Sequence, residues 1–179
     1  MTKHPIKTSH DPLEDVLSRR ILIIDGSMGA LLYSYELGED DFRGKQFARH
    51  SHDLKNCTEA LVVSKPELIE HVHRAYLEAG ADLIETDTFN ANPLSLEEFG
   101  LEEYVVEINT KAVEIARRAA DDHTRKNRGK PRFVAGSIGP TKKQLSIANK
   151  QAFSTRVSND VSGSRMSAPA SMRARIWTL

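Results

Sequence analysis

One cysteine in 179 residues excludes an internal disulfide framework, because a bridge needs two thiols. Aromatic residues are scarce as well, at 6% with a single Trp, and nothing resembles the interleaved stacking residues that hold single-stranded nucleic acid. Long hydrophobic runs are missing: Ile21 to Ile24 and Leu61 to Val63 fall far short of the roughly 18 apolar residues of a membrane-spanning helix. Met1 to His10 has Lys and His but no apolar stretch behind them, so no secretory signal is read there. Net charge is also lacking, with 25 basic against 25 acidic residues. These absences leave a soluble, cytoplasmic protein of about one domain as the expectation.

The zero balance conceals an asymmetry. Residues 142–179 carry seven basic side chains against one acid, Asp160, a net +6, so the rest of the chain carries −6. Such a basic segment attracts polyanions or acidic membranes, but without aromatic interleaving it does not read as a nucleic-acid module. Its Ser, Arg and Ala content from Ser162 to Leu179 has the make-up of a disordered tail.

From residue 12 onward the pattern alternates between helix and strand. Leu13, Val16 and Leu17 stripe a short helix, and Ile21-Leu22-Ile23-Ile24 reads as a strand buried on both faces. Asp25-Gly26 turns the chain, and Met28 to Leu37 looks helical. Residues 38–60, charged and without a period, read as a long loop, a feature that is usually functional or mobile. Ser64-Lys65-Pro66-Glu67 carries a helix-start signature. Ile69, Val72, His73, Tyr76 and Leu77 then share a face up to the stop at Gly80. Asp82 to Thr86 is the second strand, Glu102 to Ala120 a helix, His123 to Pro131 a linker and Arg132 to Gly136 the third strand. Alternation at this spacing predicts parallel βαβ units. Polar residues break each apolar run on its C-terminal side: Asp25, then Glu85 and Asp87, then Ser137. Each alone could cap a helix, whereas three equivalent positions together point to a ligand site.

The richest segment is Asp25-Gly26-Ser27-Met28-Gly29-Ala30. Its glycines allow close approach, N–H groups opening a helix suit a carboxylate or phosphate, and Asp25 suits an ammonium. A zwitterion such as an amino acid fits both. The glycine spacing excludes a dinucleotide fingerprint. Gly136-Ser137-Ile138-Gly139-Pro140-Thr141-Lys142 excludes an ATP or GTP loop, because Pro140 removes a donor and no Ser or Thr follows the lysine. His50, His52, Asp53 and Cys57 match no standard zinc spacing and read as solvated loop residues. His71 and His73 point to different sides of one helix and cannot chelate together.

Taken together, Ile23-Ile24-Asp25-Gly26-Ser27-Met28-Gly29, Asp40-Asp41-Phe42-Arg43-Gly44, Ser64-Lys65-Pro66-Glu67, Ala79 to Phe89 and Val134 to Thr141 resemble the N-terminal homocysteine-binding module of cobalamin-dependent methionine synthase. Phe47-Ala48, Asp53-Leu54-Lys55 and Leu61-Val62-Val63 extend the match, which runs in order from about residue 13 to residue 141. The resemblance implies an α/β fold: the N-terminal portion of a (β/α)8 TIM barrel, with homocysteine at the C-terminal strand ends. It divides the chain into a partial barrel domain, 13–141, and a non-family tail, 142–179. It implies methyl transfer from methylcobalamin to the homocysteine thiol, giving methionine. By position, Asp25 would bind the substrate ammonium and the N–H groups of Gly26, Ser27 and Met28 its carboxylate. Glu85, Asp87 and Thr88 would line the pocket floor. The implied partners are the rest of the barrel and the cobalamin and folate modules.

Departures qualify that picture. Asp87 stands where the family usually has Asn, and Ala30 where Thr is common. The implied cofactors are zinc and cobalamin, but the three zinc-binding cysteines of the family's late strands are lacking, as is the Asp-x-His-x-x-Gly segment of cobalamin modules. A full barrel needs ~250 residues. The expectation is therefore a chain truncated after the third strand, with no catalytic residue of its own and inactive by itself. The alternative is a non-catalytic fragment that binds or complements another barrel piece.

Overall fold

Two parallel strands lie at the centre of the computed structural model, which describes residues 12–140. They are β1 (Leu83–Glu85) and β2 (Phe133–Ala135), paired Leu83 to Phe133, Ile84 to Val134 and Glu85 to Ala135. A third segment joins them on the far side of β1 through a single parallel bridge between Ile24 and Leu83. The Ile23 carbonyl accepts from the Asp82 and Leu83 N–H groups at 2.7 and 3.1 Å, and the Asp25 N–H donates to the Leu83 carbonyl at 2.9 Å. The expected disordered tail, 142–179, lies outside the described residues.

Helices cover this sheet. α1 (Pro12–Leu17) precedes the Ile24 segment, and α2 (Met28–Tyr33), α3 (Glu39–Arg43), α4 (Thr58–Ser64) and α5 (Pro66–Ala79) follow it. α6 (Pro93–Leu96) and α7 (Val105–Lys126) carry the chain from β1 to β2. α5 forms because Pro66 occupies its first turn, where a missing N–H costs nothing, and Gly80 ends it at φ +114, a left-handed conformation that suits glycine. Ile69, Val72, His73 and Leu77 are its buried face. α7 buries Ile108, Ala112, Ile115 and a run of alanines, Ala116, Ala119 and Ala120. Those alanines cluster with Leu77, Ala81 and Ile84, and their small side chains let α7 lie close to the sheet.

Several expectations need correction. Ile21, Ile23 and Ile24 are 88%, 61% and 49% exposed, so the first strand is neither regular nor buried on both faces. It pairs on one side only, and no described element covers its outer face. Residues 38–60 are not an irregular loop. They hold α3 and the start of α4, and they bury Phe42, Phe47, Leu54 and Cys57. The apolar side chains are spaced too irregularly to show a period, yet each reaches the same core. The expected capping role of Ser64 is not realised: Ser64 closes α4, and Lys65 precedes α5 without a side-chain cap. α2 stops at Tyr33, short of Leu37. α7 runs on to Lys126, because His123 still packs inward and bonds the Ala119 carbonyl. The N-terminal part of the expected linker is therefore helical.

The Asp41-Phe42-Arg43-Gly44 segment is structural. Phe42 enters the core, and Arg43 pairs with Glu39 at 2.6 Å while donating to the His50 and His52 carbonyls. Glu39 in turn accepts from the N–H groups of Leu54 and Lys55. Gly44, at φ +51, lies so close to Ser64 that a Cβ would meet its backbone oxygen at 3.0 Å. His50 bonds the Phe99 carbonyl at 2.7 Å, whereas His52 and Asp53 are exposed.

Candidate functional site

The C-terminal ends of the Ile24 segment, β1 and β2 open into one cavity of about 480 Å³. Asp25, Gly26, Ser27 and Met28 form one wall, and Glu85 and Asp87 another. Ser137 after β2, Phe89 and Asn90 after β1, and Thr58 and Glu59 from α4 complete it. Six of the seven residues singled out from the sequence therefore border the same space. Thr88 does not: its hydroxyl is committed to Thr86 Oγ1 at 2.7 Å and to the Ser137 carbonyl at 2.8 Å, tying the β1 loop to the β2 loop behind the wall.

The turn after Ile24 is fixed by close packing. Gly26 sits against Tyr76, where a Cβ would come within 3.3 Å of the ring, and the Tyr76 hydroxyl donates to the Ser27 carbonyl at 3.0 Å. Ser27 caps α2, its Oγ accepting from the Ala30 N–H at 3.2 Å. Asp25 reaches across to β1, both carboxylate oxygens accepting from the Glu85 N–H at 3.1 and 3.2 Å. Burial pushes the Asp25 carboxyl up to about 6, against the pull of that N–H and helped by the nearby Glu85 charge.

Glu59 and Asp87 occupy the deep end, 3% and 7% exposed. Glu59 Oε1 accepts from the Asn90 N–H at 2.8 Å, and its Oε2 faces the Thr58 hydroxyl at 3.4 Å and the Cys57 thiol at 4.0 Å. Asp87 takes a hydrogen bond from the Thr58 side chain, but its Oδ2 has no partner. Burial, reinforced by the neighbouring Glu59 charge, raises the Asp87 carboxyl to about 8. No Lys, Arg or His among the described residues lines the cavity. A space bordered by four acidic side chains and no base favours a ligand that brings a cationic end.

Sequence reasoning missed Glu59, Thr58 and Asn90. Glu59 lies one residue inside α4, within the stretch read as a loop. The available signal was an acid followed by the apolar run Ala60-Leu61-Val62, which would bury it. A second hollow, about 290 Å³, is bordered by Leu32, Leu37, Phe42 and Tyr33, with Glu36 and Lys55 also on its lining. It has none of the buried acids of the strand-end cavity.

A bound metal is a separate question. Among the described residues no three His, Cys, Asp or Glu side chains are placed to hold an ion. Cys57, the one cysteine of the sequence, is buried against Glu59. The residues present do not fit a zinc site.

The homocysteine methyltransferase MmuM from Escherichia coli, in its oxidised form, superposes with a TM-score of 0.57 at 30% identity, over 73% of this chain and 41% of that one. Its metallated form gives 0.56 at 29% identity, with 73% and 42% covered. The chain thus spans well under half the length of these neighbours, and its α/β fold resembles part of theirs. No described helix is long and apolar enough to cross a membrane. The family model for homocysteine S-methyltransferase matches residues 22–168, more than half of the chain, and the protein belongs to the homocysteine S-methyltransferase family.

Proposed function

We propose that this chain supplies the homocysteine-binding portion of a methionine synthase, in which a methyl group passes from methylcobalamin to the homocysteine sulfur. The observation that carries the reading is the convergence of Asp25, Glu85 and Asp87 on one cavity at the strand ends, beside the Gly26 turn. In this reading Asp25 takes the substrate ammonium, the N–H groups of Gly26, Ser27 and Met28 take its carboxylate, and Glu85 and Asp87 line the floor. The methylcobalamin donor, as against other methyl donors, rests on the Asp41-Phe42-Arg43-Gly44 and Ser64-Lys65-Pro66-Glu67 segments.

Zinc, when present in such an enzyme, would make the thiolate available as a nucleophile. The residues described here do not supply it, so their part is to bind and orient the amino-acid end of the substrate. A complementation role is favoured by one further observation: among the described residues the Ile24 segment pairs with β1 alone, beside exposed Ile21 and Ile23, so its other edge could take another strand.

Calorimetry with homocysteine tests the binding role. Loss of one charged hydrogen-bond partner costs about 1.5–3 kcal/mol, about tenfold or more in affinity. Asp25→Ala should therefore weaken binding by at least that factor. Unchanged affinity would overturn the assignment.

A further inference from the structure

The deep end of the cavity holds a feature that the binding role of Asp25 does not use. Asp87 and Glu59 come from different elements, the loop after β1 and the first turn of α4, and meet where both are almost completely buried. Two carboxyl groups so placed cannot both carry charge without a counter-ion. The titratable groups facing them are Cys57 from the α4 entrance and, on the same cavity, Asp25 beside β1 and Glu85 at its end. All are neutral or negative. Glu59 Oε1 is already engaged by the Asn90 N–H at 2.8 Å. That leaves Asp87, whose Oδ2 is buried without a partner in a residue that borders the cavity, as the group that keeps a proton.

We propose that Asp87, backed by Glu59, is a second acceptor for a primary ammonium in this cavity, and that it holds a proton when the cavity is empty and gives it up when the ammonium docks. An ammonium carries three donors. Asp25 already spends acceptor capacity on the Glu85 N–H, so the buried, unpartnered Oδ2 of Asp87 supplies what Asp25 alone does not. Binding brings the positive charge that the empty pair lacks, and Asp87 ionises beside it. In balance, the protonated carboxyl and the ligand ammonium give a carboxylate–ammonium pair and one proton released to solvent. The raised Asp87 carboxyl, about 8 when empty, places this release at neutral pH. The inference rests on the homocysteine reading and names how the amino end of that ligand is recognised.

The test is calorimetry on the 179-residue chain, titrated near pH 7 with homocysteine and with 4-mercaptobutyrate, which lacks the amine. Two buffers of different ionisation enthalpy report the protons exchanged. Homocysteine should release close to one proton, and its affinity should rise by roughly tenfold from pH 6 to 7 and by less from 7 to 8, as the empty carboxyl at about 8 begins to ionise by itself. 4-Mercaptobutyrate should release none. Asp87→Asn should remove nearly all of the release at pH 7 and flatten the slope above pH 7, leaving only the small part below it that Asp25, at about 6, contributes. Homocysteine binding without proton release would overturn the inference and leave the homocysteine reading standing, whereas no binding at all would overturn both. Should Asp87→Asn fail to fold, carbon-detected NMR titration of the wild-type aspartate carboxyls decides the matter. Asp87 titrating above neutrality without ligand, and lower with homocysteine, supports the inference. Titration in the ordinary carboxylate range overturns it.

Discussion

His73 sits on the buried face of α5 with neither ring nitrogen bonded. Burial lowers its imidazole to about 4, against the opposing pull of the Glu70 charge. Below pH 6.5 an unfolded chain protonates this ring while the folded one does not, so stability falls as pH drops from 6.5 towards 4. Between pH 7 and 5 the loss should be about 2 kcal/mol. His73→Leu, similar in volume and free of orphaned nitrogens, should remove that part of the slope without loss at pH 7. Urea unfolding of both proteins at pH 7 and pH 5 checks this. Asp82 has the same sign of pH dependence, in a more acidic window. It is 1% exposed and held by Arg20 at 2.8 Å through both oxygens, with the Ile23 N–H at 3.0 Å. The Arg20 guanidinium keeps its carboxyl well below the ordinary range, so its contribution is lost only in strong acid. Its task is to clamp the Ile24 segment to β1.

Among the elements, α3 and the turn after it show how a motif can be recognised for one reason and exist for another. Asp41 Oδ2 accepts from the Gly38 N–H at 2.8 Å at the helix start, and Asp41 also pairs with Lys65 at 2.7 Å at the entrance to α5. Gly44 then lets the chain pass Ser64. Gly44→Ala should cost about 1–3 kcal/mol, combining positive φ with steric conflict, and thermal unfolding measures it directly. The sequence made α5 and the inner face of α7 legible, because Ile69, Val72 and Leu77, like Ile108, Ala112 and Ile115, recur at helical spacing. Residues 38–60 were opaque because Phe42, Phe47 and Leu54 reach the core at irregular spacing, and the chain between them is fixed by Arg43 and Glu39 bonds to backbone groups, which leave no period. At the cavity, Asp25 and Asp87 were visible as breaks in apolar runs. Glu59 was hidden because its significance depends on α4 bringing it beside Asp87, a contact spanning about thirty residues.

At the scale of the molecule, the core and the sheet are unequally protected. Leu54, Leu61, Ile69 and Ile108 are wholly enclosed, whereas Leu17, Ile21 and Ile23 face outward around a strand that, among the described residues, is paired on one side only. Exposed apolar strand edges invite pairing with other chains. The protein should associate in a concentration-dependent manner, and Ile21→Lys should reduce this while leaving thermal stability within about 0.5 kcal/mol, as expected for an exposed site. Light scattering across a dilution series checks the first part, and thermal unfolding the second.

The loops beyond β1 and β2 are also bolted together. The Gly139 N–H donates to the Phe89 carbonyl at 2.8 Å, with no room at Gly139 for even a methyl group, and the Ser137 N–H donates to Thr86 Oγ1 at 3.1 Å. Phe89 and Ser137 both border the strand-end cavity. Any guest that pushed Phe89 aside would therefore drag residues 137–139 along, so a dye attached at the outward-facing Ile138 would sense the arrival of a guest it never touches.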